Sequence, residues 1–546
     1  MHSRCFRTAA LVAIGPSVLA GAAPPALTVG PQIELSPTCN QSEWFEVTGA
    51  GSQINENELA IVAYGGCYAI SNDGASTWTY GTLPFGVLDP LAVCAPGSGR
   101  IFLGGQDTAP TPDLIRVTYR DPGQSSVFNG VFGDVPVNDR PSIAAGPRYG
   151  NLGQTRFSIT SSRRPTGVGP CTGLNIGPIQ FAPSDDLLGP SGSPVRLRPA
   201  TLTTPCDYEG WAAQSVIGND GSITVVSRDG IVPATGAGMY NDRRPYIMRS
   251  NDGGATWGPT AYPPILLDGQ SSIEVGRVGG TNLDVGDWAY GIDRRSSSPC
   301  IAIDRRSSQA TCYVAFVGRS ASDGSINVDR NSDVYIFRSI NNGATWGDQP
   351  GFDYIRLSDT SLGVDPTLVS GTGPDQCGIA LAVDCQGVLC LMYYDNRNDQ
   401  ASPAYMNSMC DVYFARIQWG ASSFSVLSNT RLTQHTFPAT GNALGDFFAM
   451  PVAGESQRRL YPLYVARRPD GLGGWTGRRL FTNKITVNLC PTGPLGARFA
   501  PGDEETLMLA IASREMAGDL NGDDFIDAED LALLAYWVDA DREGAR

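Results

Sequence analysis

Histidine and lysine are nearly missing from this chain. Two histidines occur, His2 and His435, and a single lysine, Lys484, stands among 39 basic residues. Zinc sites built on imidazoles and Ser-His-Asp relays both need histidines that are not there. Schiff-base and phosphate-loop chemistry that depends on lysine has equally little room. Charged residues make up only 17% of the sequence, and 54 Asp and Glu leave a formal net charge of −15. No basic run offsets that charge, which argues against a nucleic-acid partner. After the N-terminal segment, no apolar run reaches the length needed to span a bilayer.

What the chain has in quantity is turn formers, with 65 glycines and 39 prolines in 546 residues. That composition disfavours a helical protein and predicts many short strands joined by turns. The N-terminus carries Arg4 and Arg7, an apolar run from Thr8 to about Ala20, and the small triplet Ala20-Gly21-Ala22. This is the pattern of a secretory signal cleaved near residue 22, and it predicts a secreted, extracellular or periplasmic protein. Removing Cys5 with the signal leaves twelve of the 13 cysteines, an even number suited to an oxidising compartment. Local bridges Cys300–Cys312, Cys67–Cys94 and Cys171–Cys206 are expected. Cys39 and Cys490 form either a lock between the ends of the domain or parts of two separate bridges.

Three segments repeat: Ser71 to Trp78, Ser250 to Trp257 and Ser339 to Trp346, each reading Ser-x-Asp/Asn-x-x-x-Thr-Trp. The side-chain oxygen at the third position can accept turn N–H bonds, glycine permits positive φ, and the tryptophan plugs the layer beneath. A longer unit surrounds them. Apolar strands recur in the same order from starts near Glu43, Leu91, Pro141, Trp211, Cys300, Cys377 and Phe447. Such a series of short-strand meanders is expected of propeller blades. The eight-residue segments resemble the Asp box (bacterial neuraminidase repeat) of sialidases and related β-propellers. The fold expected is therefore all-β, a sialidase-like propeller over 36–490, with seven blades favoured and six left open.

In such a ring the first strand of each blade lines the axis, and the repeated turns share one end with the end of that strand. The start of the first strand and the end of the second lie at the other end. Those positions carry Asp89, Asp139 with Arg140, Glu209, Asp375 and Asp446 near the axis. Further out they carry Arg163 with Arg164, Arg228, Arg319, Asp395 with Arg397, and Arg467. Arginine forks bind carboxylates and sulfates through paired N–H groups, so this end suits an acidic sugar. The sialidase resemblance implies Arg140, Arg244 and Arg397 for a substrate carboxylate, and Asp139 as acid. It also implies a tyrosine nucleophile, either Tyr208 beside Glu209 or Tyr394, in a retaining mechanism. The Phe-Arg-Ile-Pro motif of that family is absent, and Asp139-Arg140-Pro141 is only an approximate counterpart. A non-catalytic propeller that binds glycans or proteins is the rival reading.

Near the C-terminus, Asp519, Asn521, Asp523, Asp527 and Asp530 place oxygen ligands at loop positions 1, 3, 5, 9 and 12, and Phe525 offers a carbonyl at position 7. This is the spacing of an EF-hand-type Ca²⁺ loop, and a helix with Leu531, Leu534, Ala535 and Val538 on one face follows. The aspartate at position 12 resembles the dockerin repeat. The resemblance implies a Ca²⁺-binding module over 518–546 and a cohesin-like or cell-surface partner. Residues 491–517 read as a linker, or as a last strand at Leu507–Ala512.

Overall fold

The computed structural model describes residues 27–35, 46–107, 114–136, 139–162, 179–185, 209–230, 243–257, 299–319, 332–346, 354–357, 376–399, 409–420, 423–439, 449–454 and 458–488, with a few short pieces besides. The expected signal segment, the linker and the whole C-terminal module lie outside the described residues. So do the pairs Cys39–Cys490 and Cys171–Cys206. Residues 27–487 form one compact unit.

That unit is a seven-bladed β-propeller of antiparallel meanders. The first strands begin at Val47, Pro90, Asp139, Glu209, Cys300 and Gln376 in blades 1 to 6, close to the starts read from the sequence. First strands of neighbouring blades pack against one another around the axis. Inner strands are covered on both faces, so they read as unbroken apolar runs rather than alternations. Leu59–Ala63 of blade 1 and Leu389–Asp395 of blade 6 are buried at every position.

The first blade is complete; the composite one is the last. Its third strand, Arg479–Val487, pairs antiparallel with Leu27–Leu35 from the start of the chain. The propeller thus begins nine residues earlier than the expected boundary at 36. Leu27–Leu35 hides its role because it is an edge strand, with a register shift between Val29 and Gln32 where Gly30 and Pro31 interrupt it. Proline has no N–H to give a ladder, so it sits at edges and bulges.

The repeated turns have one geometry. In blade 4, Ser250 Oγ donates to Asp252 Oδ1 (2.8 Å) and accepts from Gly254 N (2.7 Å), while Thr256 N donates to Asp252 Oδ1 (2.8 Å). The same bonds hold Ser71, Asp73, Ala75 and Thr77 in blade 1. In blade 5, Asn341 keeps the turn with its amide: Oδ1 accepts from Thr345 N and Nδ2 donates to Thr345 Oγ1, both at 2.8 Å. Positions four and five of each turn have positive φ. Ala75 (69°) and Asn342 (57°) are the non-glycine residues in that region among the described residues, and both belong to these turns. Each tryptophan packs toward the preceding blade. Trp78 meets the blade-7 cluster around Tyr461 and Leu463, Trp257 meets Phe181 of blade 3 edge-on at 4.9 Å, and Trp346 sits with Val226 and Ile247 of blade 4. A Cβ at Gly254 would run into the Phe181 ring.

Blade 2 has Arg120 where blades 1, 4 and 5 have the turn serine. It is fully buried and pairs with Glu58 of blade 1 at 2.9 Å, with Gln124 O accepting from Nε. One junction is held by a local turn and its neighbour by a buried ion pair.

Two expected disulfides are corrected. Cys300 and Cys312 are thiols, as is Cys94. Cys300 faces Ala315 and Cys312 faces Ile303, so the two lie three rows apart, roughly 10 Å along the strands. Cys94 ends its strand near the repeated turns, whereas Cys67 begins a strand at the other end of the ring. Cys67 and Cys385 are disulfide-bonded, but not to these cysteines. Among the described residues six buried cysteines carry thiols, and burial pushes Cys94 up to about 11 and Cys312 up to about 12. They serve as small apolar residues.

Two measurements check these turns. Ser250→Ala leaves a buried N–H at Gly254 without its acceptor and should cost about 1–3 kcal/mol in urea unfolding. Burial would raise the Asp252 carboxyl, but hydrogen bonds from Thr256, Ser250 and Ala255 outweigh it and hold its pKa below the ordinary value. Its contribution is therefore present above the usual aspartate range and is lost as pH falls through the lowered value. Asp252→Asn should flatten the acid limb of the stability profile.

Candidate functional site

Described polar groups are tied into hydrogen bonds and ion pairs at both ends of the ring. At the end with the repeated turns, Asn342 Oδ1 accepts from Ala310 N at 2.7 Å, which ties the turn after the third strand to the turn after the first. Arg249 of blade 4 donates to Asn342 O at 3.0 Å. Arg305 reaches from blade 5 to Ile217 O of blade 4 (2.8 Å) and to Ala145 O of blade 3 (3.1 Å). Arg416 and Asp384, both buried, pair at 2.6 Å within blade 6. Arg249 and Arg305 thus hold neighbouring blades together, and Arg416 braces blade 6 from within.

The opposite end is defined by a row in blade 6. Gln376 at the start of the first strand faces Asp395 at the end of the second, which faces Asp411 near the start of the third. Gln376 Nε2 donates to Asp395 Oδ2 at 3.1 Å. Arg397 grips the same carboxylate with two bonds, Nε to Oδ1 at 2.9 Å and Nη2 to Oδ2 at 2.7 Å, and its backbone N adds a third at 2.7 Å. Its guanidinium lies over the Tyr413 ring at 4.1 Å and donates to Tyr393 OH at 2.9 Å. Burial would push Arg397 down, but the hydrogen bonds and charge of Asp395 outweigh it and hold its pKa above the ordinary arginine value. Asp411 receives Arg431 (2.8 Å), Thr433 (2.7 Å), Thr436 (2.9 Å) and Asn398 (2.7 Å).

Register carries other sequence-derived residues to this same end. Asp139 faces Ser162, with Arg140 next in the strand, in blade 3. In blade 4, Glu209 faces Gly230, and Arg244 of the third strand faces Asp229 of the second. The first strands of blades 3 and 4 are packed together, so Asp139, Arg140, Glu209 and Arg244 share one end of adjoining blades. Arg397 lies at that end too, with blade 5 between. Tyr208, Asp375 and Asp446 lie outside the described residues.

Tyr394 is elsewhere. Its ring is fully buried, and its hydroxyl donates to Val465 O at 3.0 Å and accepts from Val465 N at 2.9 Å. Burial holds its pKa well above the ordinary tyrosine value. This tyrosine is a rivet between blades 6 and 7, not a nucleophile facing a mouth. The residues that sequence reasoning passed over are Tyr393, Tyr413, Asn398, Asp411 and Arg431. The cross-strand pair Tyr393 and Tyr413, with Arg397 following in the same motif, was the available signal.

No family model matches the chain, and no curated protein matches it. Solved structures that resemble it are distant. One is a polysaccharide lyase of family PL25, an ulvan lyase bound to -[GlcA(1-4)Rha3S]-, with TM-score 0.42 and 11% identity over 86% of this chain and 99% of that one. Another is the GH93 α-L-arabinofuranosidase of Fusarium graminearum with arabinobiose, with TM-score 0.40 and 9% identity over 73% and 92%. A third is a protein of unknown function from Dyadobacter fermentans, with TM-score 0.41 and 8% identity over 85% and 100%. At these scores the likenesses carry no information about substrate or chemistry.

Because Asp395 is fully buried, removing its partner leaves a buried charge. Arg397→Ala should cost about 3–5 kcal/mol, and Asp395→Asn with Arg397→Gln should recover part of that in denaturant titrations. Tyr394→Phe should lower stability while leaving any glycan binding or turnover unchanged.

Proposed function

We propose that this is a secreted, glycan-directed β-propeller of the Asp-box class whose end remote from the repeated turns receives an acidic saccharide. The observation that carries this reading is the register that brings acids and arginines to one end of two adjoining blades. Asp139 and Arg140 begin the first strand of blade 3, and Glu209 and Arg244 take the corresponding end of blade 4. Arginine beside carboxylates suits a sugar acid, because the fork holds the anion while a carboxyl group can move a proton at the glycosidic oxygen.

The catalytic form of the proposal is hydrolysis of the exo-α-sialidase type, with Asp139 as acid and Tyr208, assisted by Glu209, as nucleophile. The non-catalytic form is supported by a particular observation: Arg397 is already committed to Asp395, and Tyr394 to Val465. A panel of fluorogenic glycosides including a sialoside separates the two. Turnover of one member that falls at least 100-fold in Asp139→Asn and in Arg244→Gln supports the enzyme. Binding of a sialylated or uronic-acid glycan without turnover supports the receptor. Failure of the full chain both to bind and to cleave any acidic glycan overturns both forms.

The C-terminal loop with Asp519, Asn521, Asp523, Phe525, Asp527 and Asp530 lies outside the described residues, and among the described residues no cluster of ligands for a metal is found. The proposal assigns Ca²⁺ to that loop, with a cohesin-like or surface partner for the tail. Calorimetric titration of the full chain should show one Ca²⁺ site that Asp523→Ala abolishes; absence of heat in the parent chain refutes the assignment. No helix among the described residues is long and apolar enough to cross a membrane. Secretion rests on the N-terminal pattern alone and is checked by the N-terminus of the exported chain.

A further inference from the structure

Blade 2 departs from its neighbours after its third strand. Where blades 1, 4 and 5 have the repeated turn, Arg120 is followed by a longer loop that runs to the fourth strand at Phe132. Bonds to blade 1 and to its own strand fix that loop. Glu58 of blade 1 accepts from Gly123 N at 2.9 Å, and Gln124 O accepts from Arg120 Nε at 2.7 Å and from Asn72 Nδ2 at 3.4 Å. Further along, Phe128 N donates to Tyr119 O at 2.7 Å, and Thr118 Oγ1 donates to Phe128 O at 2.5 Å.

The loop holds one aromatic ring out from the blade. Phe128 stacks on Tyr119, with centroids 4.9 Å apart and planes 10° apart, and Phe132 lies beside both at 6.0 and 6.1 Å. Tyr119 is itself braced by Arg100, whose guanidinium lies over its ring at 4.1 Å. Although Tyr119 backs it, Phe128 is 49% exposed, and Val131 nearby is 41% exposed. Gly130 leaves the ring room, since a Cβ there would stand 2.4 Å from Cε1. The tryptophans of the repeated turns pack on the preceding blade, whereas this ring faces solvent. The charges around it are paired: Arg100 meets Asp121 at 2.8 Å and Arg120 meets Glu58 at 2.9 Å.

From this geometry we infer that Phe128 is a stacking platform for a neutral sugar ring, at the end of the propeller that carries the repeated turns. One face of a pyranose presents C–H groups, which are drawn to the negative face of an aromatic ring. The sugar's hydroxyls find hydrogen-bonding partners in the half-exposed Arg100 and Asp121. Because these two neutralise each other, the surface selects no charged saccharide. A protein partner fits less well, because one phenylalanine and one valine supply a small part of the roughly 800 Å² that each side of a stable interface buries. The ring is fixed before any ligand arrives, so little ordering opposes binding. This platform lies at the opposite end from the proposed acidic-sugar mouth and does not rest on that reading.

The test titrates the full chain with cellohexaose, xylohexaose, laminarihexaose and mannohexaose by calorimetry. At least one should bind; Phe128→Ala should weaken that binding at least tenfold, and Phe128→Trp should preserve it. Absence of binding to all four overturns the platform, as does undiminished affinity in Phe128→Ala. Equal loss in Phe128→Trp also overturns it, because a larger aromatic face should still stack. Sedimentation of the unliganded chain addresses a second copy: a dimer that Phe128→Ala abolishes and the bound oligosaccharide does not displace assigns the patch to self-association and overturns the sugar. Phe128→Ala should leave binding or turnover of an acidic glycan unchanged, so this inference and the proposed function fail separately.

Discussion

Everything else in this molecule depends on the ladder between Leu27–Leu35 and Arg479–Val487. Seven meanders packed side by side would otherwise expose an unpaired strand on blade 7. Pairing the start of the chain with its last described strand removes that edge and fixes the circumference. The blades then meet at set distances, and side chains from remote positions arrive at a common end. Gln32 also accepts a bond from Gln434 N at 3.0 Å, so the closing strand touches blade 6 as well as blade 7.

Much of the fold was legible because its signals are local. The bonds that define the repeated turns close within eight residues, and tryptophan follows at a fixed offset, so no knowledge of tertiary structure was needed to see them. Blade starts were legible because strands covered on both faces become apolar runs. The closing strand was not, since its partner lies more than 400 residues away and its own sequence, with Gly30 and Pro31 inside, has the irregularity of an edge. Cysteine pairing was misjudged for a related reason. Proximity in sequence put Cys300 near Cys312, but a hairpin separates residues by their distance from the turn, and these two sit at unequal distances from it.

The candidate site shows the same division. Strand direction sufficed to assign acids and arginines to one end of the ring, and register carries Asp139, Glu209 and Arg244 there. What strand counting could not supply was the state of each side chain. Arg397 follows Asp395 by two residues, and at the end of a strand that spacing lets a guanidinium fold back on the carboxylate. Tyr394 alternates with Tyr393, so when one ring lies beside Arg397 the other must enter the seam between blades. Alternation decided which tyrosine was accessible, and an apolar run on both faces conceals alternation.

The buried thiols also make the ring a record of its own opening. They sit in blades 2, 5 and 6, at Cys94, Cys300, Cys312, Cys377, Cys390 and Cys410. A thiol-reactive reagent reaches them only when the covering sheet parts, so labelling rates at each position time the local breathing of that blade. Sectors that loosen first would be identified by mass spectrometry, with no probe added to the chain.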